Sequence, residues 1–211
     1  MSKVLISIKP YYYYLVGEGI KKVDIRKTIP KAKDWDKEVL FYMTNDEKSF
    51  AQIPKEFQAK YRKHFGKVGM QIICDNITNL FCEFKYNDCY QVIYTLDNYN
   101  SDDKHRYWIP IWDNEDNHNW DKQLAPSCVK IEELNKYMEN VDKQFYAWHI
   151  SNLVIYDKPK KLSKFFAKCN IPEKKCKCCD NCYEMEDSYG RYFAAKKLTR
   201  PPQSWQYINK T

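Results

Sequence analysis

The chain has 211 residues and a mass of 25.5 kDa, a length that suits one domain or one domain with a small appendage. Apolar residues make up 44% and charged residues 30% of the sequence, which excludes an intrinsically disordered chain. No apolar run approaches the roughly 20 residues of a membrane helix, and the N-terminus does not resemble a signal peptide. We therefore expect a soluble, cytoplasmic protein with no membrane partner, whose net charge of +7 permits a nucleic-acid partner without requiring one.

The first half of the chain mixes short strands with short helices. Alternation of apolar and polar residues indicates strands, and apolar residues spaced four apart indicate a helix. The predicted elements are a strand over Val4–Ile8, a helix over Tyr11–Val16, strands over Lys21–Arg26 and Val39–Met43, a helix over Pro54–Phe65, a strand over Val68–Ile77 and a pair of strands within Phe81–Leu96.

The strand over Lys21–Arg26 is predicted to be amphipathic. Val23 and Ile25 fall on one side of it, and Asp24 and Arg26 fall on the other, so we expect a buried apolar face and an exposed charged face. A lysine, a carboxylate and an arginine in one cleft can bind phosphate, polarise a carbonyl or move a proton. A surface strand with a salt-bridged face fits the same pattern.

The second half begins with a polar stretch, at about 95–126, that is rich in Asn, Asp and Trp. The elements predicted within and after this stretch are a hairpin near Tyr107–Trp112, a helix over Ile131–Met138, a strand over Phe145–Tyr156 that Lys158 and Pro159 end, and a last strand around Trp205–Ile208. Many short strands without a β-α-β rhythm indicate an α+β fold with a mixed sheet or a small barrel.

Five of the nine cysteines lie close together, at Cys169, Cys176, Cys178, Cys179 and Cys182. An odd total without a secretion signal disfavours a disulfide framework. Cys179 and Cys182 have the spacing of two thiolates on one tetrahedral Zn²⁺, and two of the other three would complete the shell. We expect a structural zinc site in a Cys-rich loop at about 166–190. Free thiols, disulfides and an iron–sulfur cluster are the alternatives.

The two ends of the chain carry a more specific pattern. ISIKP (Ile6–Pro10) leads into a short helix, a glycine and then GIKKVDIRK (Gly19–Lys27). This pattern resembles the ASCH domain, a member of the PUA-like superfamily of small β-barrels. YAWHISNLVIYDKPKKLSKF (Tyr146–Phe165) and RPPQSWQYI (Arg200–Ile208) resemble the closing strands of ASCH proteins from bacteriophages and Gram-positive bacteria. The resemblance covers roughly 1–90 and 128–211 of what we expect to be a single domain over 1–211, with a polar insertion at about 95–126.

The resemblance implies a barrel whose cleft is floored by the charged strand and whose ligand is RNA or a modified nucleotide. Members that hydrolyse N4-acetylcytidine use a lysine, a threonine three residues later and a glutamate from a later strand. Lys21 matches that lysine, whereas Asp24 stands where the threonine would be. The strand over Val68–Ile77 offers Asp75 in place of the glutamate. These departures argue against acetylcytidine hydrolysis and leave binding open.

Further residues are candidates for the rim of this cleft. Basic residues cluster at about 21–33, 158–177 and 196–200, which suits contacts with a phosphate backbone and also suits an ordinary solvated surface. His149, Ser204 and Trp205 lie on late strands and are candidate base contacts, with packing as the alternative. The predicted nucleic-acid-binding residues are Lys9, Lys21, Lys22, Arg26, Lys27, His149, Arg200, Ser204 and Trp205.

Three functions follow from this sequence. The leading one is binding of RNA or a modified nucleotide. The first alternative is a hydrolase of a modified nucleoside or of RNA, with Lys21, Asp24 and Arg26 as its catalytic residues. The second is a phage-encoded factor that binds a host protein through the polar insertion, and an exposed apolar patch around Tyr107–Trp120 would indicate it.

Overall fold

The computed structural model describes residues 2–30, 35–85, 88–95, 109–110, 125–130, 133, 144–168, 182–186 and 192–208. Within these residues strands predominate and the helices are short, which confirms the predicted α+β class. The described strands are β1 (Ser2–Ile8), β2 (Val23–Arg26), β3 (Trp35–Met43), β4 (Lys67–Lys85), β5 (Asp88–Thr95), β6 (Ile109–Pro110), β7 (Gln144–Lys161), β8 (Phe166–Lys168), β9 (Cys182–Glu186), β10 (Tyr192–Lys197) and β11 (Trp205–Ile208). The described helices are α1 (Pro10–Gly17), α2 (Glu47–Phe50) and α3 (Lys55–Arg62), with 3₁₀ turns at Ala125–Ser127 and Leu162–Lys164.

The chain divides into two compact units. Unit 1 comprises Met1–Gly17, Lys33–Ile73 and Asn152–Thr211, and unit 2 comprises Glu18–Ala32 and Cys74–Ser151. The long strands β4 and β7 contribute residues to both units. The single domain over 1–211 stays a prediction, and most of the polar insertion at 95–126 lies outside the described residues.

Unit 1 contains a mixed sheet and a smaller antiparallel one. In the first sheet β1 pairs with β11 in antiparallel and with β3 in parallel orientation, and β3 pairs with β4 in antiparallel orientation. The mixed sheet expected from the sequence is therefore present. Successive residues of β1 and β3 are buried, among them Val4, Leu5, Ile6 and Phe41, and Met70 of β4 is buried with them. The second sheet has the order β8-β10-β9.

Unit 1 also buries a cluster of aromatic rings around one histidine. The Tyr13 hydroxyl lies 2.9 Å from Nδ1 of His64, and the Tyr13 ring meets the Tyr61 ring edge-on at a centroid distance of 6.1 Å. Burial raises the pKa of Tyr13 far above its usual range. Burial, with Lys63 and Lys67 nearby, lowers the pKa of His64 to about 4. Tyr13 therefore keeps its proton and shares a hydrogen bond with a neutral imidazole. We call Tyr13, Tyr61 and His64 the Tyr–His cluster.

Unit 2 is built on two strand pairings. Strand β2 pairs with β7 in antiparallel orientation, and β5 pairs with β4 on one side and with β6 on the other. Of the predicted hairpin near Tyr107–Trp112, only the two residues of β6 are described. The predicted helix over Ile131–Met138 lies outside the described residues except for residue 133, which is helical.

Several elements differ from the sequence predictions. Strand β4 runs from Lys67 to Lys85 without the expected end at Ile77, and β8, β9 and β10 were not predicted. Pro159 does not end β7, which continues to Lys161. A proline lacks only the N–H, so a strand can continue through it where that N–H has no ladder partner. Helix α2 was not predicted, because its single turn is too short to show periodicity. Its signal is Asp46, whose carboxylate accepts a hydrogen bond from the Ser49 N–H and caps the helix.

Candidate buried charge cluster

The candidate site lies where the chain enters β2. Gly19 has a φ of +70°, a left-handed conformation that favours glycine, and it turns the chain so that Lys21 precedes the strand. The Ile150 N–H donates to the Lys22 carbonyl over 2.9 Å, which extends the β2–β7 ladder back to the strand entry. Asp24 then pairs directly with Trp148 across the ladder.

Lys21, Asp24 and Arg26 form a connected group that we call the charge cluster. Nε of Arg26 donates to Oδ2 of Asp24 over 2.6 Å, and Nζ of Lys21 lies 3.4 Å from Oδ1 of the same carboxylate. The exposed fractions are 2% for Lys21, 6% for Asp24 and 9% for Arg26. The structure thus brings together the three residues that the sequence predicts as catalytic.

The charged face of β2 is buried, and the prediction of an exposed charged face is wrong. Asp24 and Arg26 are both buried, while Ile25 on the other side of the strand is only half-buried. The physical reason is that Asp24 sits between two cations and opposite Trp148, which is fully buried. Charges that compensate one another in this way can be removed from water together.

A backbone carbonyl completes the contacts described for Lys21. Its Nζ donates to the Ser127 carbonyl over 2.7 Å, and the Lys22 N–H donates to the Pro126 carbonyl over 2.8 Å. Cys128 follows with a φ of 56°, an uncommon left-handed conformation for a residue with a side chain. Two successive lysines therefore hold the 125–130 segment against the entry to β2. The sequence does not predict this contact, because a residue of any type can supply a main-chain carbonyl.

Electrostatics within the charge cluster favour an ionised Asp24. Burial raises the pKa of Asp24, but Arg26 and Lys21 more than offset it, so that the pKa lies below its ordinary value. Burial lowers the pKa of Lys21, and the attraction of Asp24 opposes this only in part. The cluster thus holds an ionised carboxylate between Arg26 and Lys21. The lowered pKa of Lys21 means that it gives up its proton more readily than an ordinary lysine does. Such a group can bind phosphate oxygens or polarise a carbonyl, and Lys21 can move a proton.

The other predicted binding residues of unit 2 lie around the cluster without joining it. Lys22 and Lys27 are exposed, in keeping with a rim position. His149 is half-buried and pairs with Val23, whereas Trp148 pairs with Asp24. Because successive residues of a strand point to opposite faces, His149 lies on the face away from the Asp24 side chain.

The remaining predicted binding residues belong to unit 1. Lys9 and Arg200 are exposed, and Ser204 and Trp205 are half-buried. The Trp205 ring meets the Tyr207 ring at a centroid distance of 5.3 Å. Trp205 also pairs with Ile6 of β1, which is fully buried. These contacts agree with the packing alternative for Trp205.

The predicted zinc ligands fall almost entirely outside the described residues. Cys169, Cys176, Cys178 and Cys179 are not described, and only the backbone of Cys182 is, at the start of β9. Among the described residues no group of three or more metal-binding side chains occurs. No described helix is long and apolar enough to cross a membrane.

Comparisons with known proteins give structural matches alone. No protein-family model matches the chain, and no curated protein matches it. The crystal structure of ASCH from Zymomonas mobilis aligns over 99% of this chain and 88% of its own, with 12% identity and a TM-score of 0.44. That of a single-residue variant of the same protein aligns over 100% and 92%, with 11% identity and a TM-score of 0.45. Both carry the name of the domain that the terminal motifs of this sequence resemble. Alignments at these TM-scores carry no argument about the site or its ligand.

Proposed function

We propose that the chain is an ASCH-type protein that binds RNA or a modified nucleotide at the charge cluster of unit 2. The observation that carries the proposal is a carboxylate fixed between two cationic side chains, all three less than a tenth exposed. The motif around Lys21 that resembles the ASCH domain supports the same conclusion. Lys22 and Lys27, both exposed, supply the rim of the site.

The chemistry of the cluster suits a ligand with phosphate or carbonyl oxygens. The guanidinium of Arg26 is a planar fork of donors, of which Nε is oriented by Asp24. Donors held in a low-dielectric environment bind such oxygens more strongly than donors in water do. In the proposed complex Lys21 and Arg26 face the ligand oxygens, and Asp24 keeps the two cations in place.

Binding is tested by fluorescence anisotropy with a labelled single-stranded RNA of about 20 nucleotides, longer than the site of one small domain. Free N4-acetylcytidine and cytidine monophosphate serve as competitors. Replacing Lys21→Met removes a charged donor and keeps the stem, and we expect a loss of affinity of at least about tenfold. The matched control is Lys48→Met, because Lys48 is an exposed lysine of unit 1. Equal affinity of Lys21→Met and wild type for every probe would refute the site.

A hydrolase is the second candidate, and one observation favours it. Burial lowers the pKa of Lys21, which prepares an amine for proton transfer or nucleophilic attack. The RNA samples from the binding assay are analysed on a denaturing gel, and N4-acetylcytidine is assayed for conversion to cytidine. Turnover that is lost in Lys21→Met and kept in Lys48→Met would make the protein an enzyme. Intact substrates would leave it a binding protein.

We further propose that the clustered cysteines hold one structural zinc ion, as the spacing of Cys179 and Cys182 suggests. Four thiolates would leave no open position on the metal, so its role would be to stabilise the loop at about 166–190. A reducing cytoplasm, which is the predicted location, would keep these thiols available. Elemental analysis should give one zinc per chain in wild type and none in Cys179→Ser/Cys182→Ser. Cys74→Ser, which removes a buried cysteine outside the cluster, is the control.

A further inference from the structure

Two segments of unit 1 carry basic residues without acidic ones. Residues 158–168 and 196–208 contain eight Lys and Arg and no Asp or Glu. Removing these eight from the 35 basic residues leaves 27, against 28 acidic residues in the whole chain. The charges of the remaining residues therefore nearly cancel in sum, so these two segments account for the net positive charge.

The fold brings the two segments together. Leu162, Phe165 and Leu198 belong to one buried apolar cluster, and the Leu198 N–H donates to the Phe165 carbonyl over 2.9 Å. In the β8–β10 ladder Lys196 lies opposite Ala167, and paired strands are about 4.8 Å apart. The two basic segments consequently pack against the same buried apolar cluster. Their exposed basic residues, which we call the basic face, are Lys158, Lys160, Lys161, Lys164, Lys196 and Arg200.

The six side chains of the basic face are exposed to solvent. None of its six residues forms an ion pair with any residue in the described part of the chain. Asp157 precedes it on β7. On β9, Glu184 and Glu186 pair with Ala194 and Tyr192, which precede Lys196 on β10.

We infer that the basic face binds the phosphate backbone of a polynucleotide. Lys158 and Lys160 lie on one side of β7, about 7 Å apart. Lys161 ends the strand, and Lys164, Lys196 and Arg200 extend the surface to a second strand. A free nucleotide presents its charge at one end and cannot reach cations spread this widely. A chain of regularly spaced phosphates can, and its binding is driven by release of counterions. The inference rests on the proposed function and deepens it, because it specifies a polymeric ligand and uses residues outside the charge cluster.

The test measures RNA affinity as a function of salt. The triple variant Lys158→Gln/Lys160→Gln/Lys161→Gln is compared with wild type by anisotropy between about 50 and about 200 mM NaCl, the range over which phosphate contacts are most sensitive. Each lost phosphate contact on a single strand lowers the slope of log K against log salt by about 0.7, so we expect a fall of about 2. Affinity at the lower salt concentration should fall at least about tenfold.

The control variant removes the same charge from elsewhere in unit 1. Lys48, Lys55 and Lys63 are exposed lysines on and beside α2 and α3, and their replacement by Gln changes the net charge equally. We expect this variant to keep the salt slope of wild type. An equal fall in both variants would show a response to net charge alone and would overturn the inference. So would a triple variant that binds RNA as wild type does. Urea unfolding of each variant shows whether its fold is intact.

Combination with Lys21→Met separates this inference from the proposed function. RNA binding that needs the basic face but not Lys21 supports the inference and refutes the charge cluster as the site. RNA binding that needs Lys21 but not the basic face supports the charge cluster as the site and refutes the inference. Single-stranded DNA of equal length tests whether the sugar contributes to binding. If only the phosphates are recognised, the affinities for RNA and for DNA should be equal. Vesicles with anionic lipid that bind more tightly than RNA would identify a membrane surface and overturn the inference.

Discussion

The charge cluster of unit 2 and the Tyr–His cluster of unit 1 solve the same problem in opposite ways. Both place ionisable side chains out of water: Lys21 is 2% exposed and His64 is 1% exposed. In the charge cluster, Asp24 stays ionised because two cations neutralise it. In the Tyr–His cluster, burial suppresses ionisation of both partners, and a neutral hydrogen bond of 2.9 Å remains.

The difference teaches where chemistry can occur. A neutral hydrogen-bonded pair in a packed core satisfies its polar atoms and has little to offer a ligand. A buried cation attracts ligand oxygens strongly. Its removal from water costs free energy unless neighbouring charges compensate it, so an incompletely compensated one is expected to have a role. The proposed function is therefore assigned to the charge cluster and a structural role to the Tyr–His cluster, and the two should respond differently to substitution and to pH.

The largest effect is expected from Asp24→Asn. The change removes the carboxylate that holds Arg26 and Lys21 and leaves two cations buried without it. Loss of one partner from a buried ionic group costs about 3–5 kcal/mol. Urea unfolding at neutral pH measures the change in the free energy of unfolding.

The exposed pair of Glu47 and Arg62 is the control for that prediction. Both of its hydrogen bonds are 2.8 Å long, yet the side chains are 63% and 53% exposed. Water replaces such a contact at little cost, so Glu47→Gln should leave the unfolding midpoint nearly unchanged. Comparable losses in Asp24→Asn and Glu47→Gln would contradict the distinction between buried and exposed pairs.

Packing around the Tyr–His cluster predicts the second effect. A Cβ at Gly69 would collide with Nδ1 of His64 and with the Tyr13 hydroxyl. Gly69→Ala should therefore destabilise the protein by up to about 3 kcal/mol, the usual cost of overpacking a core. At Gly19 a Cβ meets nothing within 4 Å, so Gly19→Ala should cost only the backbone strain of about 1 kcal/mol. The free energies of unfolding of the two variants test this prediction. A smaller loss of stability in Gly69→Ala than in Gly19→Ala would refute the tight contact at Gly69.

The two clusters should also lose stability in different pH ranges. The pKa of His64 is about 4 in the fold against an ordinary 6.5, so the unfolded chain takes up its proton first. Stability falls as the pH drops from about 6.5 to about 4, by about 3 kcal/mol. The pKa of Asp24 is lowered from 3.8, so its contribution is lost only below about pH 4. Unfolding free energies from pH 7 to pH 3 test this, and His64→Gln should flatten the upper range alone. If His64→Gln leaves the slope of stability against pH unchanged in the upper range, groups other than His64 cause that slope.

The strand pattern of the fold was largely predictable from sequence, since alternation reports which face of a strand is buried. Alternation located β1, and an apolar run located β3, each to within a few residues. Alternation failed at β2, where Asp24 and Arg26 are buried along with Val23. Alternation separates apolar from polar residues, and it cannot show that Asp24 and Arg26 neutralise one another.

The site was predictable in its residues and not in its surroundings. Asp24 and Arg26 are two residues apart, so strand geometry places them on one side of β2, and Lys21 reaches Asp24 from the turn before the strand. The Ser127 carbonyl that binds Lys21 lies more than a hundred residues away. Such a partner can be found only from the path of the chain, because every residue has a carbonyl.

The smallest effect is expected from Tyr13→Phe. It removes the hydroxyl that is hydrogen-bonded to Nδ1 of His64 and leaves that buried ring nitrogen without this partner. The cost should be about 1 kcal/mol, because the ring and its contact with Tyr61 are retained. The hydrogen bond also favours the neutral imidazole, so its loss should raise the pKa of His64 toward 6.5, which NMR titration detects. Tyr11→Phe, on a half-buried ring of the same helix, should change neither quantity. A His64 pKa that stays near 4 in Tyr13→Phe would show that desolvation alone keeps the imidazole neutral, and would leave the hydrogen bond a role in orientation only.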